Sequence, residues 1–294
     1  MDEASSSQGA FSPWRFRDHT FTWGQRTYLM GVLNVTPDSF SDGGQYHSVE
    51  LATQHARQMI ADGADILDLG GQSTRPNAEV VSLDEELNRI LPVIEKVRQE
   101  SSIPISVDTT RATVARAAIA AGADIVNDVS GGTFDPAMLA VVAEIEAPLM
   151  VMHLRGTPKT MQQLTHYDDL IGEICQFLGD RVQAALGAGI PQSRIVVDPG
   201  IGFAKTFEQN LEILRQTSAF RSLGCPVLIG PSRKSFIGHI LQQPDPQQRV
   251  WGTAAACCAA IAGGADILRV HDVAAMRDVC RVADALWRSP HPAA

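Results

Sequence analysis

With 33 acidic against 24 basic side chains in 294 residues, the chain carries a net charge of −9, which disfavours nonspecific attraction to nucleic acid or an anionic membrane. Any anionic ligand therefore needs a local cluster of cations. The hydrophobic fraction of 45% is ample for a core, and an aromatic fraction of only 6% makes that core mostly Ala, Val, Ile and Leu, as in layered barrel interiors rather than aromatic-rich sandwiches.

Residues 1–13 are acidic and Ser-rich, without the basic start and apolar segment of a signal peptide, and read as a disordered tail before a single domain over 14–294. No segment approaches the roughly 20 apolar residues of a membrane helix. Five cysteines, odd in number and lacking C-x-x-C spacing, argue for reduced thiols in a cytoplasmic protein.

Residues 14–27 alternate apolar and polar around Trp23-Gly24-Gln25, which predicts a hairpin closing one end of a barrel. Eight candidate strands follow: Tyr28–Leu33, Asp65–Leu69, Ile103–Val107, Asp124–Asp128, Leu149–His153, Ile195–Asp198, Val227–Ile229 and Ile267–Val270. Amphipathic helices lie between them. Ser82 with Glu85 and Thr206 with Gln209 spell capping boxes, and Asp135-Pro136 and Asp245-Pro246 put an acidic cap before proline. The helix after Ser82 places Leu83, Leu87, Ile90, Leu91, Ile94 and Val97 on one face, with a kink expected at Pro92. Repetition of helix, glycine, apolar strand and polar tip predicts an α/β fold, a (β/α)8 TIM barrel. A doubly wound sheet is the alternative, but neither G-x-G-x-x-G nor G-x-x-x-x-G-K-[ST] opens the first strand-to-helix turn.

In a barrel the site lies at the C-terminal strand ends. Asn34, Thr74, Arg75, Asp108, Asn127, Met152, His153, Asp198, the Ser232-Arg233-Lys234-Ser235 run, Arg269 and His271 fall there. Singly, each has a plain structural reading, since Asp108 before Thr109 or His271 beside Asp272 could cap a helix. Converging on one rim, so many polar groups are hard to explain by structure alone. Asp108, Asn127, Asp198 and Lys234 suit the edge of a flat heterocycle such as a 2-amino-4-oxopyrimidine; the carboxylates could instead form an acid/base pair or ligate a metal, but carboxylate metal sites do not usually include a lysine. Asn34, Arg75, Arg269 and His271 suit a phosphate or pyrophosphate, and the Asn34 amide oxygen could hold a Mg²⁺ bridging its oxygens. Two Gly/Ser/Pro-rich loops, 36–46 and 71–79, read as lids and carry Phe40 and Pro76, on which an aromatic substrate could pack.

The blocks M-G-V-L-N-V-T-P-D-S-F-S-D-G-G (30–44), D-L-G-G-Q-S-T-R-P (68–76), V-D-T (107–109), N-D-V-S-G-G (127–132), D-P-G-I-G-F (198–203), S-R-K-S-F-I-G (232–238) and R-V-H-D-V (269–273) resemble the dihydropteroate synthase family. Its members condense 6-hydroxymethyl-7,8-dihydropterin pyrophosphate with p-aminobenzoate. The resemblance implies a pterin site at Thr74, Asp108, Asn127, Met152, Asp198, Lys234 and Arg269. It implies a pyrophosphate site at Asn34, Arg75, Arg269 and His271, with Mg²⁺ on Asn34. A p-aminobenzoate pocket would comprise Phe40, Thr74, Pro76, Phe203 and Ser235. Asp108, Lys234, Arg75 and His271 would act directly in catalysis, and a homodimer open to sulfonamide inhibitors is implied. Where many relatives read G-G-E-S-T-R-P-G, this chain has Gln72 and Asn77. A methyltetrahydrofolate methyltransferase barrel would have no use for the S-R-K-S block. A noncatalytic pterin-binding paralogue should have lost part of the pyrophosphate set or the first lid, and neither is missing from the sequence.

Overall fold

The computed structural model describes residues 11–35, 44–72 and 81–288, with side chains of the second stretch described from residue 48. A short antiparallel pair, β1 (Trp14–Phe16) and β2 (His19–Phe21), precedes eight parallel strands. These are β3 (Tyr28–Asn34), β4 (Ile66–Gly70), β5 (Ile105–Asp108), β6 (Ile125–Asp128), β7 (Leu149–Met152), β8 (Ile195–Asp198), β9 (Leu228–Ile229) and β10 (Ile267–Val270). Each pairs with the next, β10 returns to β3, and the bridge Val197–Val227 joins β8 to the start of β9, so the sheet closes. Around it run α1 (Gly44–Asp62), α2 (Leu83–Glu100), α3 (Ala112–Ala120), α4 (Met138–Glu144), α5 (Leu170–Gly187), α6 (Phe207–Arg215), α7 (Ser235–Ile240), α8 (Val250–Ala262) and α9 (Val273–Trp287). This is the expected TIM barrel with an N-terminal hairpin.

Strand periodicity explains what the barrel does with its side chains. Successive residues point to opposite faces, so Leu29, Leu67, Val107, Val126, Val151, Val197 and Leu268 meet the helices in one large core. Their alternates Tyr28, Met30, Ile66, Ile125, Met150, Val196, Leu228 and Ile267 fill the interior together with Trp14, Phe21 and Trp23 of the hairpin region. The hairpin thus plugs the N-terminal mouth of the barrel. Trp14 stacks edge-on against Trp23 with ring centroids 5.2 Å apart, and its indole N–H donates to the Ser193 carbonyl at 2.7 Å.

Local signals fared unevenly. The hairpin turns at Arg17-Asp18, where Arg17 takes φ 52°, and not at Trp23-Gly24-Gln25, which makes a second turn leading into β3. A glycine marks a left-handed residue readily; an arginine held there by its surroundings gives no such mark. The described chain begins inside the expected tail: Phe11 packs against the interior cluster, and the Ser12 carbonyl accepts from the Trp23 indole at 3.0 Å. Thr206 and Gln209 form a complete capping box. Ser82 makes half of one, because the Glu85 carboxylate is bound by Arg89 at 2.7 Å. α2 runs through Pro92 as one helix and buries Glu86 and Val93, while Leu83 at its first turn is exposed.

Candidate functional site

The inward parity that fills the lower barrel with Ile66, Ile125, Val196 and Ile267 puts, two residues further along the same strands, Asp68, Asn127, Asp198 and Arg269. On β5 it puts Asp108 two residues after Ser106. Asp68, Asp108, Asn127 and Asp198 are all buried. Side-chain hydrogen bonds join most of this set. Arg269 donates through Nε to Asp68 at 2.6 Å and through Nη2 to Asp108 at 2.9 Å. Asn127 Nδ2 reaches both Asp68 oxygens at 3.3 and 3.4 Å. Asp108 does not cap the following helix, whose N-cap is Arg111.

Burying carboxylates disfavours their charged form. Burial pushes Asp108 up to about 7, against the pull of Arg269 and with help from neighbouring Asp68 and Asp128. Burial also raises Asp198 to about 6, countered by the Gly200 amide that bonds its Oδ1 at 2.7 Å and then by the Lys234 charge. A ligand carrying N–H donors would favour the charged form of both carboxylates.

Beside Asp198, the loop after β8 carries Phe203, and the Lys234 ammonium stands 4.2 Å from the centre of its ring. Ser235 follows at the start of α7. Met152 is buried and packs with Val129, Leu154, Met161 and Ala204, with Phe203 alongside. Beyond β10, the Ser232 hydroxyl accepts from the His271 amide at 3.2 Å and lies 3.0 Å from His271 Nδ1. This contact orients the imidazole, and which of the two atoms donates depends on the ring's tautomer.

Asn34 ends β3 opposite Gly70. A Cβ built on Gly70 would stand 3.5 Å from the Asp108 Cβ and 3.8 Å from Asn34 Oδ1, so the glycine keeps open the space between these two side chains. Among the described residues no group of three or more His, Cys, Asp or Glu side chains could hold a metal. Phe40, Thr74, Arg75, Pro76 and Asn77 lie outside the described residues.

Comparisons with known proteins identify the family. A family model described as pterin binding enzyme matches residues 30–271. A dihydropteroate synthase of Synechocystis sp. is 62% identical over 268 residues, covering 91% of this chain and 93% of its own. The chain belongs to the dihydropteroate synthase family of pterin binding enzymes. Among solved structures, a Xanthomonas albilineans dihydropteroate synthase with 4-aminobenzoic acid superposes with a TM-score of 0.88 at 42% identity, covering 96% of this chain and 100% of that one. A Yersinia pestis dihydropteroate synthase in a sulfonamide drug complex gives 0.88 at 39% identity, over 94% and 99%.

Two buried groups of this dihydropteroate synthase homologue, Asp68 and Lys205, escaped the sequence reading, and a third, Ser232, stood on the predicted rim without a role. Asp68, wholly buried, holds both Arg269 and Asn127. It sits mid-strand, where strand-tip reasoning does not look, although its parity with Ile66 would have found it. Ser232 orients His271. Lys205, 3% exposed, lies 3.0 Å from His153 Nδ1, and nothing in its sequence neighbourhood announces burial. Two of the Arg269 nitrogens are engaged by the barrel carboxylates Asp68 and Asp108.

Proposed function

We propose that this protein condenses 6-hydroxymethyl-7,8-dihydropterin pyrophosphate with p-aminobenzoate, giving 7,8-dihydropteroate and pyrophosphate. The observation that carries the reading is the ring of strand-tip groups Asp108, Asn127, Asp198 and Arg269 on the inner wall of one barrel end, three of them tied through Asp68 or Arg269. Its acceptors and donors match the amino, cyclic N–H and carbonyl edge of a pterin, with Lys234 beside Asp198 as the further donor. Met152 would line the slot and Thr74 would lie where the two substrates approach.

The nucleophile is a neutral aromatic amine that loses its proton readily once bonded to carbon, so no strong base is needed. Departure of pyrophosphate is the harder step. Electron release from the ring supports a cation-like methylene carbon, and Asp108 against the protonated ring edge favours that electron-poor state. Arg75, Arg269 and His271 would take up charge on the leaving group. Asn34 offers a single oxygen ligand for Mg²⁺, which suits an ion that keeps several waters and is otherwise held by substrate phosphates; when bound there it would supply charge neutralisation at the leaving oxygen. Phe203, Ser235, Phe40 and Pro76 would form the p-aminobenzoate pocket, which would also accept sulfonamides, as the Yersinia pestis relative does.

A homodimer is supported by the apolar side chains that α7, α8 and α9 leave exposed, Ile240, Leu241, Trp251, Val282, Leu286 and Trp287, with Trp251 at 78%. Light scattering should then return about twice the 31.7 kDa of one chain. A cytoplasmic location is supported by five free cysteines, three of them buried; among the described residues no helix is long and apolar enough to cross a membrane.

The test of function is direct. Purified protein mixed with the pterin pyrophosphate, Mg²⁺ and p-aminobenzoate should release dihydropteroate and pyrophosphate in equal amounts. Pterin binding without product would identify a noncatalytic paralogue instead.

A further inference from the structure

Lysine is almost never fully buried unless paired with a carboxylate. Lys205 is 3% exposed, yet among the described residues its ammonium hydrogen-bonds no carboxylate: its partners are the Phe203 carbonyl at 2.8 Å and His153 Nδ1 at 3.0 Å. His153, itself 1% exposed, is held far below its ordinary range, at about 2, by burial first and then by the Lys205 charge, so its ring is neutral and its Nδ1 accepts. Burial lowers Lys205 to about 7, against the opposing pull of the Asp198 charge. A methionine would fill the same space without that penalty. That cost points to a role for the ammonium beyond stabilising the fold.

What it does is visible in the loop it fastens. Between Asp198 and Lys205 the chain takes left-handed φ at Gly200 (74°), Gly202 (82°) and Ala204 (50°), the last a strained conformation for a residue with a side chain. Other ties hold parts of this loop. Gly202 N–H donates to Asn210 Oδ1 at 2.6 Å, and the Ala204 carbonyl accepts from the Tyr167 hydroxyl at 3.0 Å. The Phe203 carbonyl is the point Lys205 secures, and it anchors that carbonyl to His153 at the end of β7, whose own amide donates to the Asp198 carbonyl at 2.9 Å. The Phe203 ring in turn is the surface over which Lys234 rests.

We infer that Lys205 is a positioning residue for the second substrate: it fixes the Phe203 backbone to the end of β7 and so sets the aromatic wall, with the Lys234 ammonium resting over it, against which p-aminobenzoate is received. The inference rests on the condensation proposed above and concerns the same site. Lys205 acts through Phe203, and its charge reaches Asp198 through space without a hydrogen bond.

The experiment is steady-state kinetics of the full chain with K205M, F203A and the double variant, alongside pterin pyrophosphate binding by calorimetry and thermal melting. Loss of one charge-assisted hydrogen bond predicts a KM for p-aminobenzoate about tenfold higher in K205M. The pterin dissociation constant should stay within about twofold and the melting temperature should be equal or higher. In the F203A background, K205M should add nothing to KM, because the wall it positions is gone. An unchanged KM in K205M overturns the proposal. So does an equal loss of pterin binding and thermal stability, or a full additional loss in the double variant, either of which marks a merely structural lysine. If the wild type itself makes no dihydropteroate, the proposed function fails, which is a separate result from an active wild type with an indifferent K205M.

Discussion

The two ends of this barrel are built from the same strands and the same inward-facing positions, yet they are chemically opposite. At the N-terminal end, Met30, Ile66, Ile125 and Val196 meet Trp14, Phe21 and Trp23 in an interior cluster of entirely apolar residues. Two residues further along β4, β6 and β8, the same face carries Asp68, Asn127 and Asp198, buried polar groups that cost stability. At these inward-facing positions one end holds the fold and the other carries ionisable groups at that fold's expense. Stability and function are separated along the strand axis, so substitutions at the two ends should fail in different ways.

The sharpest break is expected at the polar end. Asp108→Asn should lower turnover by about 10²- to 10³-fold, the size typical of removing one preorganised charge-stabilising group, while p-aminobenzoate KM changes much less. Stopped-flow or steady-state assays would show it, and unimpaired turnover would refute the role of Asp108. Trp14→Ala is the mirror experiment at the other end. It deletes a buried indole, its bond to Ser193 and its packing on Trp23, which should destabilise the fold by about 3–5 kcal/mol in denaturant titrations. Turnover per folded molecule should be unchanged; a large loss of kcat would mean that the two ends are not independent.

A smaller effect should appear in the pH dependence of stability. Asp198 is raised to about 6 and Asp108 to about 7 in the folded protein, well above an unfolded aspartate near 4. Raised carboxylates bind protons more tightly in the native state, so the stability linked to them is fully present below pH 4 and is lost as pH climbs through 6 to 7. Asp198→Asn should therefore melt on the order of a few degrees higher than the wild type at pH 8, with the gap closing toward pH 4. A gap independent of pH would show that Asp198 is ionised in the fold at no cost.

Much of this division was legible in the sequence, for definite reasons. Apolar runs bounded by glycine and ending in polar residues identified all eight barrel strands, since a strand covered on both faces has little freedom in composition. Strand tips such as Asp108, Asn127 and Asp198 stood out because a charged residue closing an apolar run is conspicuous. Asp68 did not, lying inside Ile66–Gly70 where parity rather than position marks it. The hairpin turn was misplaced because Gly24 advertises a turn while Arg17, at φ 52°, does not. Lys205 was passed over because its sequence context, between Ala204 and a helix cap at Thr206, looks like an exposed loop. Burial of that ammonium is decided by His153 and Phe203, whose positions depend on β7 and β8 lying side by side.

The most direct test of the division of labour is calorimetric binding of 6-hydroxymethyl-7,8-dihydropterin pyrophosphate, with Mg²⁺, to wild type, Asp198→Asn and Trp14→Ala under conditions where all three are folded. The account predicts tight binding by the wild type and Trp14→Ala, and at least about tenfold weaker binding by Asp198→Asn, from loss of one charged hydrogen-bond acceptor. Equal affinity in the wild type and Asp198→Asn, or loss of binding in Trp14→Ala alone, would contradict it.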